Sequence, residues 1–332
     1  MLSYLVRRIL IMIPTLIAIS AIVFTIIQLP PGDYLTTMIA ELQAQGEAAS
    51  MERIAFLREQ YGLDRPPIEQ YFHWVIGLVQ GDLGWSFEYN MPVREVIGER
   101  LALSFIVAIT TVIFTYLVAF PIGIYSATHQ YSLGDYGLTL IGFLGLATPS
   151  FLLALVLLYV GNAVFGTSIG GLMDPSYMDK SMSWGKFGSI LEHLWIPVIV
   201  IGLGGTAAMI RRLRANLLDE LQKQYVVTAR AKGLPARRLL FKYPLRMALN
   251  PFISDIGSLL PSLISGAAIV SVVLSLPTNG PMLLRALQSQ DMYLAGSFLM
   301  IEAVLVVVGV FLSDLALAAL DPRIRLHGGA TK

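Results

Sequence analysis

Residues 211–246 read RRLRANLLDELQKQYVVTARAKGLPARRLLFKYPLR, a basic stretch set between two apolar runs of membrane-spanning length. It holds Arg211, Arg212, Arg214, Lys223, Arg230, Lys232, Arg237, Arg238, Lys242 and Arg246 against Asp219 and Glu220. These make it net +8, whereas the whole 332-residue chain is only +1. Charge is segregated by position, and a stretch of this kind is expected to dock something.

Over the whole chain, 55% of residues are hydrophobic and 14% charged, against roughly a quarter charged in soluble proteins. With a mean hydropathy of +0.69, this is the composition of an integral membrane protein. There is no cysteine, which removes disulfides, thiolate metal sites and cysteine nucleophiles. Arg7 and Arg8 precede an apolar run at 9–29 that superficially resembles a signal peptide. Its 21 residues exceed the usual apolar core of about 7–15, and no small-x-small cleavage site follows, so a retained first span is expected.

A helix rising about 1.5 Å per residue needs roughly 20 apolar residues to cross about 30 Å of hydrocarbon. Six stretches qualify: 9–29, 101–127, 136–165, 194–210, 251–276 and 293–320. Backbone groups in hydrocarbon must be satisfied internally, and none of these runs alternates with period two, so they are helices. The expected fold is an all-α integral membrane protein of six transmembrane helices. No linker or internal repeat divides it, so 1–332 reads as a single membrane domain.

Cationic segments near span ends are retained on the cytoplasmic side. Arg7 and Arg8, the basic stretch, and Arg323 and Arg325 all fall on one side of six spans, which puts both termini in the cytoplasm. The opposite side receives a large loop, 30–100, with five Arg and eleven Asp or Glu. Within it, 68–79 mixes aromatic and polar residues. It is either an interfacial helix with Tyr71 and Trp74 at headgroup level or a small folded cap on the helix ends.

No site for chemistry is legible. The single Gly-Lys pair, Gly185-Lys186, is followed by Phe187, so the chain has no phosphate-binding loop, and nucleotide hydrolysis is expected from partners. HExxH and GxSxG are absent, and His73, His129, His193 and His327 are scattered. No catalytic residue, bound cofactor or metal site is expected in this chain.

Asp255, Glu302 and Asp314 lie within or near spans and form a candidate intramembrane polar set. Ionisable groups there normally face the bundle interior, a water-filled cavity or a partner. Glu302 approaches mid-membrane, as a pathway lining or an interhelical hydrogen bond. Asp255 and Asp314 lie nearer the cytoplasmic span ends, with Arg246, Arg323 or exposed backbone donors as expected partners. Pathway residues are expected on inward faces of the later spans, and none is singled out.

The composition of 211–232 favours helix, Gly233 stands where a helix ends, and Pro235 suits the first turn of a second helix through about Tyr243. Leu234, Leu239, Leu240 and Phe241 beside Arg237, Arg238 and Lys242 would form an apolar knob with a cationic rim. The plainer alternative is that the charges fix topology or touch anionic lipid.

TARAKGL at 228–234, followed by RRLLFK at 237–242 and ALNP at 248–251, resembles the EAA loop of ABC importer permeases. PGD at 31–33, YGLD at 61–64, GDLG at 81–84, TPS at 148–150 and DPRIR at 321–325 are similar to the oligopeptide and dipeptide branch of that family. Val227 and Thr228 depart from the first two positions of the loop signature. IVSVVLSLP at 269–277 lacks the glutamate that the peptide branch carries near Ser271. The resemblance implies a type I importer bundle in the cytoplasmic membrane of a bacterium or archaeon, working with a second permease, two ATPase subunits that bind ATP and Mg2+, and an external solute-binding protein.

It also implies that Ala229, Gly233, Leu234, Pro235, Arg237, Arg238 and Leu239 serve ATPase coupling. The implied cargo is an oligopeptide or dipeptide, with oligosaccharide, opine or nickel as alternatives. Membrane lipid is an expected contact and nucleic acid is not. A reading from another class is an ion-coupled secondary transporter or channel using Glu302 and Asp314.

Overall fold

The long apolar runs form helices wherever the structure describes them. A computed structural model describes residues 2–30, 32, 34–36, 64–165, 170–178, 180, 181, 183–253, 255, 259 and 267–320. The motif residues at 31, 33, 61–63 and 321–325, and most of the expected fifth span, lie outside that set. Among the described residues four helices are long and apolar enough to cross a membrane, or five if one sharply bent pair counts as a single span. The chain divides into two compact units, one from 1–102 with 278–308, the other from 103–277 with 309–332.

In the first unit, α1 (Leu2–Gln28) packs against α2 (Pro67–Gln80). Pro67 opens α2, where a missing N–H is harmless, and Gly81, at φ +83°, closes it in the left-handed region. Trp74 is buried against Phe24 and Met292, and the Tyr71 hydroxyl bonds Ser20 Oγ at 2.9 Å. Residues 68–79 are thus a packed cap, and Trp74 is core rather than a headgroup anchor. A two-residue ladder follows, β1 (Trp85–Ser86) antiparallel to β2 (Met91–Pro92). The unit also contains α11 (Asn279–Gln288) and the start of α12 (Met292–Leu320), and the beginning of α3 (Val93–Thr128).

The second unit continues α3 and adds α4 (Leu133–Ala147), α5 (Ser150–Phe165), α6 (Trp184–Leu221), α7 (Gln224–Ala231), α8 (Ala236–Lys242), α9 (Pro244–Ala248) and α10 (Ala268–Val273). Residues 136–165, expected as one continuous span, are instead two helices bent by 97° at Thr148-Pro149. Proline lacks the N–H that would bond Gly145, and its ring disfavours helical geometry in the residue before it. Thr148 is accordingly extended, at φ −85°, ψ 118°.

The expected span 194–210 is the middle of the 38-residue α6, which at about 1.5 Å per residue outruns any bilayer. Its face is buried along its length, from Ile190 to Leu217. One core joins Leu103 and Val107 of α3, Ala154 of α5, Leu194 and Val198 of α6, and Leu274 just beyond α10. A second joins Ala119 of α3, Leu213 and Leu217 of α6, and Leu245 and Ala248 of α9. α3 approaches α6 closely: a methyl group added at Gly202 would lie 3.0 Å from Phe114, and one at Gly123 would lie 3.0 Å from Leu213.

Candidate functional site

The basic stretch begins on α6, breaks at Gln222-Lys223 and resumes as α7, so the single helix expected over 211–232 is two. No glycine or proline marks that break. The ring of Tyr225 stands across it, its hydroxyl donating to the Glu220 carboxylate. Partial burial and then that carboxylate push the Tyr225 phenol above its ordinary range.

At the other end of α7, the Leu234 N–H donates to Ala229 O at 3.3 Å and the Gly233 N–H to Arg230 O at 2.9 Å. This pair of bonds is a Schellman closure, which needs a left-handed residue at its second-last position. Gly233 supplies it at φ +78°. Leu234 completes the motif by packing onto Val226, Ala229 and Leu239, which form the hairpin's own core. Pro235, at φ −58°, ψ 139°, caps α8 from just outside rather than lying in its first turn. The chain then turns through Tyr243 into α9, whose Leu245 and Ala248 pack on Leu213 and Leu217 of α6. The α7–α8 hairpin is therefore joined to α6 through a packed apolar contact.

The residues expected to make ATPase contact separate into two sets. Ala229, Leu234 and Leu239 face inward, with Leu239 only 3% exposed, and hold the hairpin together. Arg237 and Arg238 are exposed, and Phe241, 52% exposed, remains as the apolar tip. The knob is thus one phenylalanine on a cationic face, not four apolar side chains. Burial of Leu239 has a simple cause: on a two-turn helix only one side can close onto α7.

Two of the ten cations are structural. Arg214 donates Nε to Asp135 Oδ1 at 2.9 Å and Nη2 to Asp135 Oδ2 at 2.8 Å, a bidentate pair tying α6 to the start of α4. Asp135 is almost wholly buried and also accepts from the Tyr131 N–H at 3.0 Å. Arg212 pairs with Asp255 at 2.5 Å and lies 4.5 Å over the Phe252 ring. Asp255 thus meets Arg212, not the expected Arg246, because Arg246 lies on the exposed side of α9. Glu302 and Asp314 are both half-buried on α12. Beside Asp314, Ser313 Oγ–H donates to Ile253 O at 2.9 Å, which brings that part of α12 to the chain just before Asp255.

A carboxylate that sequence reasoning passed over is held by hydroxyl and backbone donors rather than by a cation. Asp291 is fully buried, accepts Ser86 Oγ–H at 2.7 Å and the Glu88 N–H at 3.1 Å on Oδ2, and takes the Leu294 N–H at 3.1 Å on Oδ1. It is the N-cap of α12 and fastens the β1–β2 turn to that helix. Ser297 Oγ–H to Leu83 O at 2.9 Å adds a second tie, and Gly84, at φ +81°, lets Tyr293 lie flush against the turn. Burial pushes the Asp291 carboxyl up, against the opposing pull of its donors. The local signal was a cap residue before an apolar run; its partner Ser86 is 205 positions away and left none.

Comparison with known proteins places these features in a family. The profile described as "Binding-protein-dependent transport system inner membrane component" matches residues 119–326, and its N-terminal companion matches 1–108. The chain is 35% identical over 98% of its length to the oligopeptide transport system permease protein AppB of Bacillus subtilis (strain 168), covering 99% of that protein. It is 30% identical to the dipeptide transport system permease protein DppB of Escherichia coli (strain K12), covering 98% and 99% of the two chains. It is 29% identical to the peptidoglycan transport system permease protein YejB of Agrobacterium fabrum (strain C58), covering 97% and 98%. With apolar helices of spanning length and profile matches along nearly the whole sequence, this chain belongs to the family of binding-protein-dependent transport system inner membrane components.

Proposed function

We propose that this chain is one permease of an ATP-driven peptide importer and that the α7–α8 hairpin is the joint gripped by a nucleotide-hydrolysing subunit. The observation that carries the reading is the hairpin itself. It is closed by Gly233, held by its own apolar core, rooted through α9 on α6, and cationic where it is exposed. A rigid lever needs these properties. A charge cluster serving only to orient the chain needs none of them.

ATP and Mg2+ bind in two partner ATPase subunits, a second permease completes the conduit, and an external solute-binding protein delivers cargo. The termini and 211–250 face the cytoplasm, and 30–100 faces the other side, in keeping with where Lys and Arg gather. Peptide cargo is supported by the names of the relatives, which favour it over oligosaccharide, opine or nickel. Closure of the ATPases moves the hairpin and switches the bundle. This requires that they bind its two states with different free energies, since equal affinity shifts nothing.

The test is solute-stimulated ATP hydrolysis by the full assembly in proteoliposomes. Arg237→Glu with Arg238→Glu is expected to lose ATPase subunits during purification and to abolish stimulation. Full subunit recovery, or peptide uptake that survives ATP depletion with ion gradients intact, would overturn the reading.

A further inference from the structure

α4 and α6 enclose a groove of about 240 Å³. Leu138, Gly142, Phe143 and Leu146 form one wall and Ala207 and Ile210 the other, so its length is apolar but for Thr139, whose hydroxyl turns to Asp135 at 3.4 Å. Its mouth is different. Tyr131 and Tyr136, both well exposed, flank Arg211 and the Arg214–Asp135 pair there. Asp135 takes two bonds from Arg214, which leaves that pair neutral. Arg211 lies one helical turn earlier on the same face, is exposed, and makes no ion pair with any described residue.

The mouth thus carries one uncompensated cation at the end of an apolar slot. Arg211 also stands where the apolar run 194–210 stops, the depth at which headgroups sit, and tyrosines concentrate at that level. We infer that the α4–α6 groove is a binding site for an anionic phospholipid. One acyl chain lies along Leu138 and Ile210, and the phosphodiester meets the Arg211 guanidinium between the two tyrosine hydroxyls. Charge complementarity selects the class: a zwitterionic headgroup brings a second cation to a mouth already positive, and a free anion leaves the apolar slot unfilled. The surrounding basic stretch raises the local concentration of anionic lipid without specifying this position.

Native mass spectrometry on the full chain, purified in detergent and exposed to equimolar phosphatidylglycerol and phosphatidylcholine, tests this. One phosphatidylglycerol is expected to remain bound. Arg211→Gln lowers retention about fivefold, the scale of one basic residue at an anionic surface. Arg246→Gln makes the same charge change at an exposed site away from the groove and leaves retention unaltered. Gly142→Leu abolishes it by filling the slot; its first added carbon has Ala207 as nearest neighbour at 4.0 Å, so the helices need not move. Equal loss from Arg211→Gln and Arg246→Gln, equal retention of the two lipids, or displacement by inorganic phosphate alone would each overturn the proposal.

Discussion

Asp291 and the α7–α8 hairpin both fasten a piece of chain outside the long apolar segments onto a membrane helix, and they do so by opposite means. Around Asp291 the attachment is polar and buried: one carboxylate, shielded from solvent, collects a hydroxyl and two backbone N–H groups. The hairpin is attached by apolar packing, with its charges left outside. A buried polar cluster has one satisfactory geometry, because each donor left without its acceptor costs about 1–3 kcal/mol. An apolar joint tolerates sliding. The first arrangement suits a fixed strut and the second a part that moves.

Substitutions can break this contrast, beginning with the largest effect. Arg214→Gln strands the buried Asp135 carboxylate, and losing one partner of such a pair costs about 3 kcal/mol. A lowered melting temperature in detergent checks it, and marks Arg214 as a strut within the basic stretch. Asp291→Ala orphans three donors and removes a cap, an expected loss of about 2 kcal/mol. Increased protease cleavage within 81–92 would report it, and a stable, resistant variant would mean the cluster is no strut.

Asp291→Asn removes the titrating group and can keep the Oδ1 cap to Leu294, at the cost of turning an amide NH2 toward the Glu88 N–H. Because the folded-state pKa is raised, the stability this group contributes is fully present below its ordinary carboxylate range and is lost as pH rises through the raised value. Melting curves across that window should slope downward with pH in the parent and flatten in the variant. Gly233→Val forces a β-branched residue to φ +78°, at about 1–2 kcal/mol. Since no atom lies within 4 Å of the added carbon, the effect is backbone strain alone, and Gly233→Asn should restore much of the loss. Smallest is Arg237→Glu with Arg238→Glu, expected within about 0.5 kcal/mol of the parent in melting. A large shift would make those charges part of the fold.

What the sequence made legible was local. The apolar runs announced an all-helical membrane protein because hydrocarbon leaves the backbone no other choice, and Gly233 announced a turn because few residues reach positive φ. The bend at Thr148-Pro149 was also written in the chain, but proline is tolerated within membrane helices often enough that the run read as continuous. Long-range pairing was not legible. Asp135 finds Arg214 79 positions away and Asp291 finds Ser86 205 positions away, and neither spacing carries a pattern. Leu239 was assigned to the outer face because a seven-residue helix has too little periodicity to orient it.

The 97° kink has a consequence for how the polypeptide survives in a bilayer. Its corner, 146–150, is exposed on the isolated chain, and Gly145 has no N–H donor from residue 149. Hydrocarbon does not tolerate naked peptide groups, so an elbow at membrane depth requires a roof of polypeptide or contact with water. A solitary copy is expected to be short-lived in cells, and pulse-chase labelling should show its lifetime lengthen when companion subunits are made beside it.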